Sequence, residues 1–576
     1  MENKGIADIL NVIAKLLSLS EKPTARFEVR AYQKAALTIE TLQEPIEDIY
    51  KKGGTKALME LPGVGKSIAG HIEEYIKTGK IKKYEELKRK YPVDIASLTA
   101  ISGVGAKKAI TLYKELGIKN IEGLKRAIAS HKISGLEGFG EKSEDAILKG
   151  LSVYEASKGR MFIGDALPEA ETLVRKLKDS GLTERVMIAG STRRMRDTVG
   201  DLDILVISKR NEEVMDFFTK MKEVSGVVAK GPTKSTVTLK LGLNCDLRVL
   251  EPQSFGAAVQ YFTGSRDHNI QTRTIAVRKG YKLNEYGLFD RRNRNIGGAE
   301  EESIYEKLGM QWVPPEMREA RGEVELALKH KIPVLVEQKD IRGDLHTHTK
   351  ESDGANTLEE MAEAAQKLGY EYIANTDHTK STRIANGKDD KGFEKILKSV
   401  DELNDRLDGK ITVLKGAECD ILKDGSLDLS SKTLRQMDCV LGAVHNSTKM
   451  DKKQMTERIV KAIDSGMIHV LAHPTGRIVG EREPYQVDLE KVAEAAERNG
   501  VAMEINSTRR MDLNDTNIML VSKYKVMFAI DTDSHRTHEY SMVRYGVGTA
   551  RRGWLTKDRV LNALPLKELI KRLGKQ

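Results

Sequence analysis

Two aspartates in the middle of the chain stand two positions apart in a segment with the composition of a buried strand. They are Asp201 and Asp203 in the run GDLDILV. Successive side chains of a strand point to opposite faces, so both carboxylates share one face while Leu202 lies on the other. Like charges this close are unfavourable unless cations lie between them. The pair therefore predicts a divalent-cation site of the kind that supports phosphoryl or nucleotidyl transfer.

Neighbouring residues extend this prediction to a phosphate-binding site. Asp246, in a second β-rich run, is well placed to supply a third carboxylate. Ser191, Arg194 and nearby backbone N–H groups can hold triphosphate oxygens. An Asp-X-Asp pair alone is also common on surface strands, but the Gly-Ser and the paired arginines that precede this one favour the metal site.

A second group of metal-capable residues occupies the last part of the chain, where eight of the twelve histidines follow residue 340. His346 and His348 share one face of a predicted strand by the same two-residue period. Similar side chains recur at the ends of later predicted strands: Asp377, His378, Glu418, His445, His473, Asp533 and His535. Mixed imidazole and carboxylate ligands suit Mn²⁺, Zn²⁺ or Fe²⁺ better than Mg²⁺. His469 and His538 are interpreted as supporting or structural residues.

A short glycine motif recurs in the first 150 residues. It occurs at 61–66 (LPGVGK), at 101–107 (ISGVGAK) and more loosely at 136–142 (LEGFGEK), each time before a helical pattern. Two glycines around one apolar residue permit a tight turn, and the next helix then offers free N–H groups to a phosphate. Residues 51–150 also carry 20 basic against 12 acidic side chains. These repeats resemble the helix-hairpin-helix motifs of DNA repair proteins and predict DNA contacts at Gly63, Gly65, Gly103 and Gly105.

The elements that position these residues divide into three regions. Residues 1–150 have helical periodicity, and residues 185–250 mix β-rich runs with a helix near 211–224. From residue 340 onward, short strands alternate with amphipathic helices, which predicts either a barrel or a doubly wound parallel sheet. A charged stretch at 316–330 separates the halves.

Composition and length set wider limits. A chain of 576 residues exceeds one hydrophobic core and suggests three or four units. Apolar residues at 39% and charged residues at 31% exclude fibrous and disordered classes. No segment approaches the roughly 18 apolar residues of a membrane span. Three cysteines without a CxxC pair give neither a disulfide framework nor a zinc ribbon, which favours a reducing cytoplasm. Of the net charge of +10, residues 1–338 hold +9, as expected for a polyanion partner.

The motifs of the first half together resemble the X family of DNA polymerases, over most of residues 1–315. The resemblance implies that Asp201, Asp203 and Asp246 bind two metal ions, with Asp246 helping to activate the primer 3′-hydroxyl. It also implies a nucleotide site in which the backbone of the YFTGS segment excludes a ribose 2′-hydroxyl. The nucleotide-binding residues implied are Ser191, Arg194, Gly200, Tyr261, Phe262, Gly264, Asn269 and Arg273.

Residues 340–576 resemble the polymerase-and-histidinol-phosphatase (PHP) domain. This resemblance implies a distorted α/β barrel with a site for up to three metal ions. The ligands implied are His346, His348, Asp353, His378, Glu418, His445, His473, Asp533 and His535, with Asp353 where many relatives carry histidine.

The chain departs from the polymerase family pattern at two positions. His71 occupies the place of the lysine that forms a Schiff base, and an imidazole cannot form that imine, so lyase activity requires Lys66 or another amine. Asn244 stands where animal members carry an arginine beside the third aspartate. The electrostatic surroundings of Asp246 are therefore expected to differ from those in the animal members.

The fold class predicted is multidomain: a helical helix-hairpin-helix region, an α+β nucleotidyltransferase palm and thumb, and a C-terminal α/β PHP barrel. The predicted divisions are an N-terminal helical DNA-binding domain (1–80), a second helix-hairpin-helix subdomain (81–150), a palm (151–250), a nucleotide-selecting thumb (251–316), a linker (317–339) and the PHP domain (340–576).

The function predicted is DNA-templated gap filling in base excision repair, with a PHP-domain 3′-5′ exonuclease that also cleaves abasic sites or removes 3′-phosphates. Mg²⁺ is expected at the polymerase site and Mn²⁺ or Zn²⁺ at the PHP site. The expected partners of a monomeric enzyme are gapped or nicked DNA and dNTPs, without a membrane. Two alternatives stay open: a DNA-tethered phosphatase of small phosphomonoesters with a vestigial polymerase, and a DNA-binding scaffold with vestigial sites.

Overall fold

The N-terminal region is helical in the structure, a computed structural model that describes residues 3–18, 25–40, 42, 46–99, 101, 103–136, 138–140, 143–148, 150–151 and 159–574. Its helices are Asn3–Leu17, Ala25–Glu40, Ile46–Met59, Lys66–Thr78, Lys82–Lys90, Ile95–Thr99, Ala106–Leu116 and Ile121–Ala129. Leu10, Ile13 and Ile72 belong to one apolar core, whereas Leu98 and Leu112 belong to a second. Ser102, Glu137, Glu141 and Lys142 of the glycine motifs lie outside the described residues.

A five-stranded sheet forms the centre of the next region. Its strands are β2 (Arg185–Ile188), β4 (Asp201–Ile207), β5 (Val224–Lys230), β6 (Lys234–Leu239) and β7 (Asn244–Leu250), in the order β2-β4-β7-β6-β5. Only the β4–β7 pair is parallel among these described strands. Strands β1 (Met161–Phe162) and β3 (Thr198–Val199) form a small antiparallel pair, and helices Ile163–Asp179, Gly190–Arg193 and Asn211–Thr219 complete the unit. Strand β5 is exposed along most of its length and lacks a regular apolar alternation.

The following region packs against this sheet. It contains helices Phe255–Thr263, Arg266–Arg278, Glu301–Lys307 and Glu323–Leu328, with the antiparallel strands β8 (Lys282–Asn284), β9 (Gly287–Phe289) and β10 (Asn295–Gly297). The stretch predicted as a linker contributes Val324 and Ala327 to the apolar core of this region. Arg318 is fully buried and its Nη1 lies 2.6 Å from Oε1 of Glu301. Residues 317–339 are therefore packed structure, and the proposed domain boundaries stay predictions.

Seven parallel strands in sequence order form the C-terminal domain. They are β11 (Gly343–Thr347), β12 (Tyr372–Asn375), β13 (Thr412–Asp420), β14 (Cys439–Ala443), β15 (Val470–Leu471), β16 (Ala502–Asn506) and β17 (Phe528–Asp531). A parallel bridge from Thr347 to Ser534 joins the two outer strands, so the sheet is a nearly closed barrel and not a doubly wound sheet. The helices around it are Leu358–Lys367, Asp390–Leu407, Ser431–Leu434, Lys452–Asp464, Leu489–Asn499, Asp515–Val521, Val543–Arg552 and Leu566–Leu573.

Local sequence explains where the barrel elements begin. The first barrel helix starts with a capping box, in which Thr357 Oγ1 accepts from Glu360 N and the Glu360 carboxylate accepts from Thr357 N. All seven strands are buried along their length or nearly so, as expected when helices cover a parallel sheet. The predicted fold class, with helical, mixed and barrel parts in this order, is confirmed. Among the helices that the structure describes, none has the length and apolar character of a membrane-spanning segment.

Candidate active sites

The register of the central sheet brings the three predicted carboxylates together. In the parallel pair β4–β7, Asp203 lies directly opposite Asp246, and Asp201 lies opposite Asn244. Thr236 Oγ1 donates to Asp246 Oδ1 at 2.6 Å, and Lys234 Nζ lies 2.7 Å from Oδ2. Burial acts to raise the pKa of Asp246, but these two partners hold it below its ordinary value. Asp246 therefore carries its negative charge beside the Asp201–Asp203 pair.

Asp203 is the carboxylate with the most unfavourable surroundings. Burial and the charges of Asp201 and Asp246 raise its pKa to about 6. Backbone also crowds it: Gly190 has φ of 66°, and a Cβ at that position would lie 2.4 Å from Asp203 Oδ2. Only glycine fits this contact, since an L side chain would be both strained and in collision. A divalent cation would relieve the charge repulsion that this arrangement creates.

We expect Asp203→Asn to stabilise the metal-free protein at neutral and alkaline pH. A carboxyl whose pKa is about 6 in the folded state and 3.8 in the reference state opposes folding as pH rises from 4 to 6, and this cost is complete above pH 6. The gain is at most about 3 kcal/mol. Thermal unfolding in EDTA at pH 8 and at pH 4 measures it, and a gain of equal size at both pH values would contradict this account.

A cleft of about 560 Å³ is lined by Asp201 and Asp203. Its lining contains most of the predicted nucleotide-binding residues: Ser191, Arg194, Tyr261, Phe262, Gly264, Asn269 and Arg273. Asn269 Nδ2 donates to the Tyr261 carbonyl at 2.7 Å, which fixes the end of helix Phe255–Thr263 against the next helix. Gly200 lies outside this lining, directly before β4. The cleft has the polar, cationic walls that a nucleoside triphosphate requires.

The cleft is also lined by three arginines that were not predicted from the sequence: Arg160, Arg196 and Arg266. Arg160 Nε donates to Thr198 Oγ1 at 3.1 Å, so this arginine is fixed by the small β1–β3 sheet. Arg196 Nη1 lies 3.3 Å from Glu319 Oε2. The Arg-Arg-Met-Arg run was the sequence signal that could have identified Arg196. Arg160 and Arg266 lie far apart in sequence, and only the fold brings both to the cleft.

The second site is at the C-terminal ends of the barrel strands, where all nine predicted ligands form one connected cluster. Glu418 lies at its centre: Oε1 is 2.7 Å from His473 Nε2 and 3.1 Å from His445 Nε2, while Oε2 is 2.8 Å from His378 Nδ1. The rings of His346 and His348 have centroids 5.1 Å apart. Strand ends of a βα barrel converge on one mouth, which explains how residues so distant in sequence meet.

Two more carboxylates complete the cluster. Asp533 Oδ1 lies 3.2 Å from His348 Nε2 and 3.5 Å from His346 Nε2. Asp353 Oδ1 lies 3.3 Å from His535 Nε2, and Oδ2 lies 3.6 Å from His378 Nε2. Three overlapping sets have ligand atoms within 4.8 Å of one another: His348, Asp353, His378 and His535; His346, His348 and Glu418; His378, Glu418 and His445.

Several polar atoms in this mouth lack a hydrogen bond of acceptable geometry. Among the described residues they are His346 Nε2, both ring nitrogens of His348, His378 Nδ1, His473 Nδ1 and Glu418 Oε2. Buried polar atoms without partners are costly, and a divalent cation would satisfy them. The donor set therefore fits divalent metal ions.

Two carboxylates behind the ligands were not predicted from the sequence. Glu504 Oε1 lies 2.6 Å from His346 Nδ1, and its other oxygen accepts from the His473 backbone. Asp420 Oδ1 lies 3.0 Å from His445 Nδ1. Each leaves the Nε2 atom of its histidine to face the cluster. A sequence signal for Glu504 existed, because it is the one charged residue in the buried strand AMEIN.

Glu504→Gln should weaken metal binding by about tenfold to a hundredfold, because carboxylates behind a ligating histidine orient the ring and raise its basicity. Calorimetric titration of the metal-free protein with Mn²⁺ measures this effect. Glu494→Gln, on the exposed face of helix Leu489–Asn499, is the matched control. Unchanged affinity in Glu504→Gln would show that this carboxylate does not orient the ligand.

The remaining histidines have other surroundings. His469 Nδ1 accepts from Val440 N at 3.0 Å before β15, and His538 is exposed. His71 lies on helix Lys66–Thr78 and stacks on Tyr32, with ring centroids 6.2 Å apart. Burial lowers the pKa of His71, so its imidazole is neutral near pH 7.

The glycine motifs adopt one repeated turn. Gly63 and Gly103 have φ of 80° and 89°. The residue after each of these glycines closes the turn: Val64 N donates to Leu61 O, and Val104 N donates to Ile101 O, both at 3.0 Å. Gly65 and Gly105 then cap the N-termini of the next helices. Such N-termini offer N–H groups to phosphates.

Comparison with known proteins finds four family models and several relatives that are similar to this chain. Family models match a helix-hairpin-helix domain at residues 1–81, a SAM-like helix-hairpin-helix tandem at 93–152, a DNA polymerase beta thumb at 258–319 and a PHP domain at 344–508. The chain is 35% identical over 573 residues, 99% of both chains, to a Bacillus subtilis (strain 168) protein named DNA polymerase/3′-5′ exonuclease PolX. It is 26% identical over 355 residues to DNA polymerase lambda of Arabidopsis thaliana, covering 55% of this chain and 62% of the relative. A protein of Thermoanaerobacter sp. (strain X514) named "Probable phosphatase" is 29% identical over 231 residues, 38% of this chain and 89% of the relative.

Proposed function

This chain belongs to the family X DNA polymerases with a C-terminal PHP domain, and we propose that it fills short gaps in DNA and trims 3′ ends. The protein is a DNA polymerase with 3′-5′ exonuclease activity. The two activities belong to separate sites, with nucleotide addition at the central sheet and phosphodiester hydrolysis at the barrel mouth. The observation that supports this division is that carboxylates meet beneath an arginine-lined cleft at one place, while imidazoles cluster at another.

Asp201, Asp203 and Asp246 would hold divalent cations at the polymerase site, and such ions would neutralise phosphate charge and favour in-line displacement. The protein's own contribution is orientation. Ser191 and Arg194 bind phosphate oxygens of the incoming nucleotide, and Arg273 lies on the wall of the same cleft. Asp246 stays ionised through its contacts with Thr236 and Lys234, so its carboxylate can accept a hydrogen bond from the primer 3′-hydroxyl.

The nine barrel residues would hold up to three ions, which would lower the pKa of bound water and stabilise charge on a phosphoester. Glu504 and Asp420 orient His346 and His445 respectively, and this fixes the ring nitrogens before a substrate arrives. Arg510 lies at the same mouth, with Nε 3.6 Å from Asp533 Oδ2, and supplies positive charge near the reacting phosphate.

Substrates and metals follow from the same chemistry. We assign Mg²⁺ to the carboxylate site and Mn²⁺ or Zn²⁺ to the imidazole-rich site. Gapped or nicked DNA is the polymerase substrate, together with dNTPs, since repeated helix-hairpin-helix turns bind phosphates without reading sequence. The enzyme acts as a monomer in repair of the base-excision type. We also assign cleavage at abasic sites and removal of 3′-phosphates to the nuclease site.

The decisive experiment incubates the purified protein with a one-nucleotide gapped duplex, with and without dNTPs, in Mg²⁺ and then in Mn²⁺. We expect primer extension by one nucleotide with dNTPs and primer shortening without them, the latter strongest in Mn²⁺. A parallel 3′-phosphate primer tests phosphatase action. Release of phosphate alone, without extension or shortening, would instead support a DNA-tethered phosphatase.

A further inference from the structure

The PHP domain contacts the loop that carries the phosphate-binding residues of the polymerase site. Helix Val543–Arg552 packs on this loop, and Tyr545 of the helix belongs to the apolar core beneath the central sheet. Met195, the residue after Arg194, has φ of 51°, and a Cβ at Gly548 would lie 3.0 Å from Met195 Cβ as well as 2.8 Å from its Cε. The helix therefore approaches the loop as closely as a glycine permits.

Arg552, at the end of this helix, makes three hydrogen bonds. Two join it to the preceding regions of the chain, and the third stays within the PHP domain. Its side chain is 4% exposed. Nη1 donates to the backbone carbonyl of Arg194 and to Glu319 Oε1, both at 2.9 Å, and Nη2 donates to Asp515 Oδ2 at 2.6 Å. One planar guanidinium thus links the PHP domain to the polymerase loop and to the end of the thumb.

Glu319 is shared among Arg552, Arg194 and Arg196. Arg194 Nε donates to the same Glu319 Oε1 at 3.1 Å, while its Nη1 donates to the Thr263 carbonyl. Burial acts to raise the pKa of Glu319, but Arg552 and Arg194 hold it below its ordinary value, so the carboxylate is ionised. Arg194 is therefore fixed both at its backbone, by Arg552, and at its guanidinium, by the carboxylate that Arg552 helps to hold.

We propose that Arg552 of the PHP domain is a positioning residue of the polymerase, which presents Arg194 to the nucleotide triphosphate. This inference rests on the proposed function, in which Arg194 binds phosphate oxygens. Without Arg552, the Arg194 carbonyl loses its donor and Glu319 keeps fewer cationic partners, so it competes more strongly with the triphosphate for Arg194. The PHP domain then sets nucleotide affinity independently of its own metal site.

The test compares Arg552→Met, Arg552→Lys and the control Arg544→Ala in the full-length enzyme. Arg544 lies on the same helix and contacts Glu171 across the same interface, at 3.0 Å. On a one-nucleotide gap we expect Arg552→Met to raise KM for the dNTP about tenfold while kcat falls less than about threefold. Arg552→Lys should give a smaller rise, since lysine keeps the charge but not the planar fork. Arg544→Ala should match the wild type, and the nuclease rate of all variants should stay within about twofold.

Gly548→Ala provides a second test that leaves the buried charges in place. Its methyl group displaces Met195 and hence the loop, so KM for the dNTP should rise here as well, even if Arg552→Met does not fold. Unchanged KM in Arg552→Met and Gly548→Ala would overturn the inference, as would a rise in KM accompanied by an equal loss of nuclease activity. If the wild-type enzyme does not extend the gapped primer at all, the proposed function fails instead.

Discussion

Asp201→Ala combined with Asp203→Ala is expected to abolish nucleotide addition, by at least about 1,000-fold, and to leave the nuclease rate within about twofold of the wild type. The pair supplies two of the three carboxylates that meet at the β4–β7 register, and Asp246 alone offers too little charge to hold two cations. Single-turnover extension of a gapped primer in Mg²⁺ measures the first activity. Primer shortening in Mn²⁺ without dNTPs measures the second.

The matched control replaces Glu212 and Glu213 by alanine. Both lie exposed at the start of helix Asn211–Thr219 in the same domain, and their loss changes net charge by the same amount as loss of the aspartates. The control should extend primers at the wild-type rate. Residual extension above a few per cent in the double aspartate variant would mean that the reacting phosphate binds elsewhere.

His346→Ala combined with His348→Ala should have the opposite effect. Both rings are fully buried in the barrel mouth and lie within 3.5 Å of Asp533 Oδ1. Their removal deletes one ligand from the first of the three overlapping metal sets and two from the second, so the nuclease should fall by at least about 1,000-fold. Gap filling should persist, since the polymerase carboxylates lie on β4 and β7 of the central sheet and not on the barrel.

Thermal unfolding must accompany this second pair, because two buried side chains are removed and cavities destabilise a core. His538→Ala, at an exposed position of the same domain, is the control for histidine loss. The division of labour would be wrong if both double variants remained folded and each lost both activities.

The sequence determined the elements and the identity of the chemical groups. Two-residue periodicity is a local property, so it predicted that Asp201 shares a face with Asp203, and likewise His346 with His348. The alternation of short strands with helices that the sequence predicts after residue 340 is present in β11 to β17 and the helices around them. Glycine spacing predicted the repeated turns for a similar reason, because only positive φ at Gly63 and Gly103 closes them. These signals depend on neighbours in the chain and need no partner strand.

Tertiary structure alone decided which groups meet. The β4–β7 register sets Asp203 opposite Asp246, and the bridge from Thr347 to Ser534 selects a barrel where the sequence allowed a doubly wound sheet as well. Glu504 and Arg552 have no local pattern that reveals their partners, since His346 and Arg194 lie more than 150 residues away. Contacts between residues so distant in sequence depend on how whole elements pack. The main favourable free energy of that packing comes from burying apolar surface between elements, and no short segment contains both of the surfaces involved.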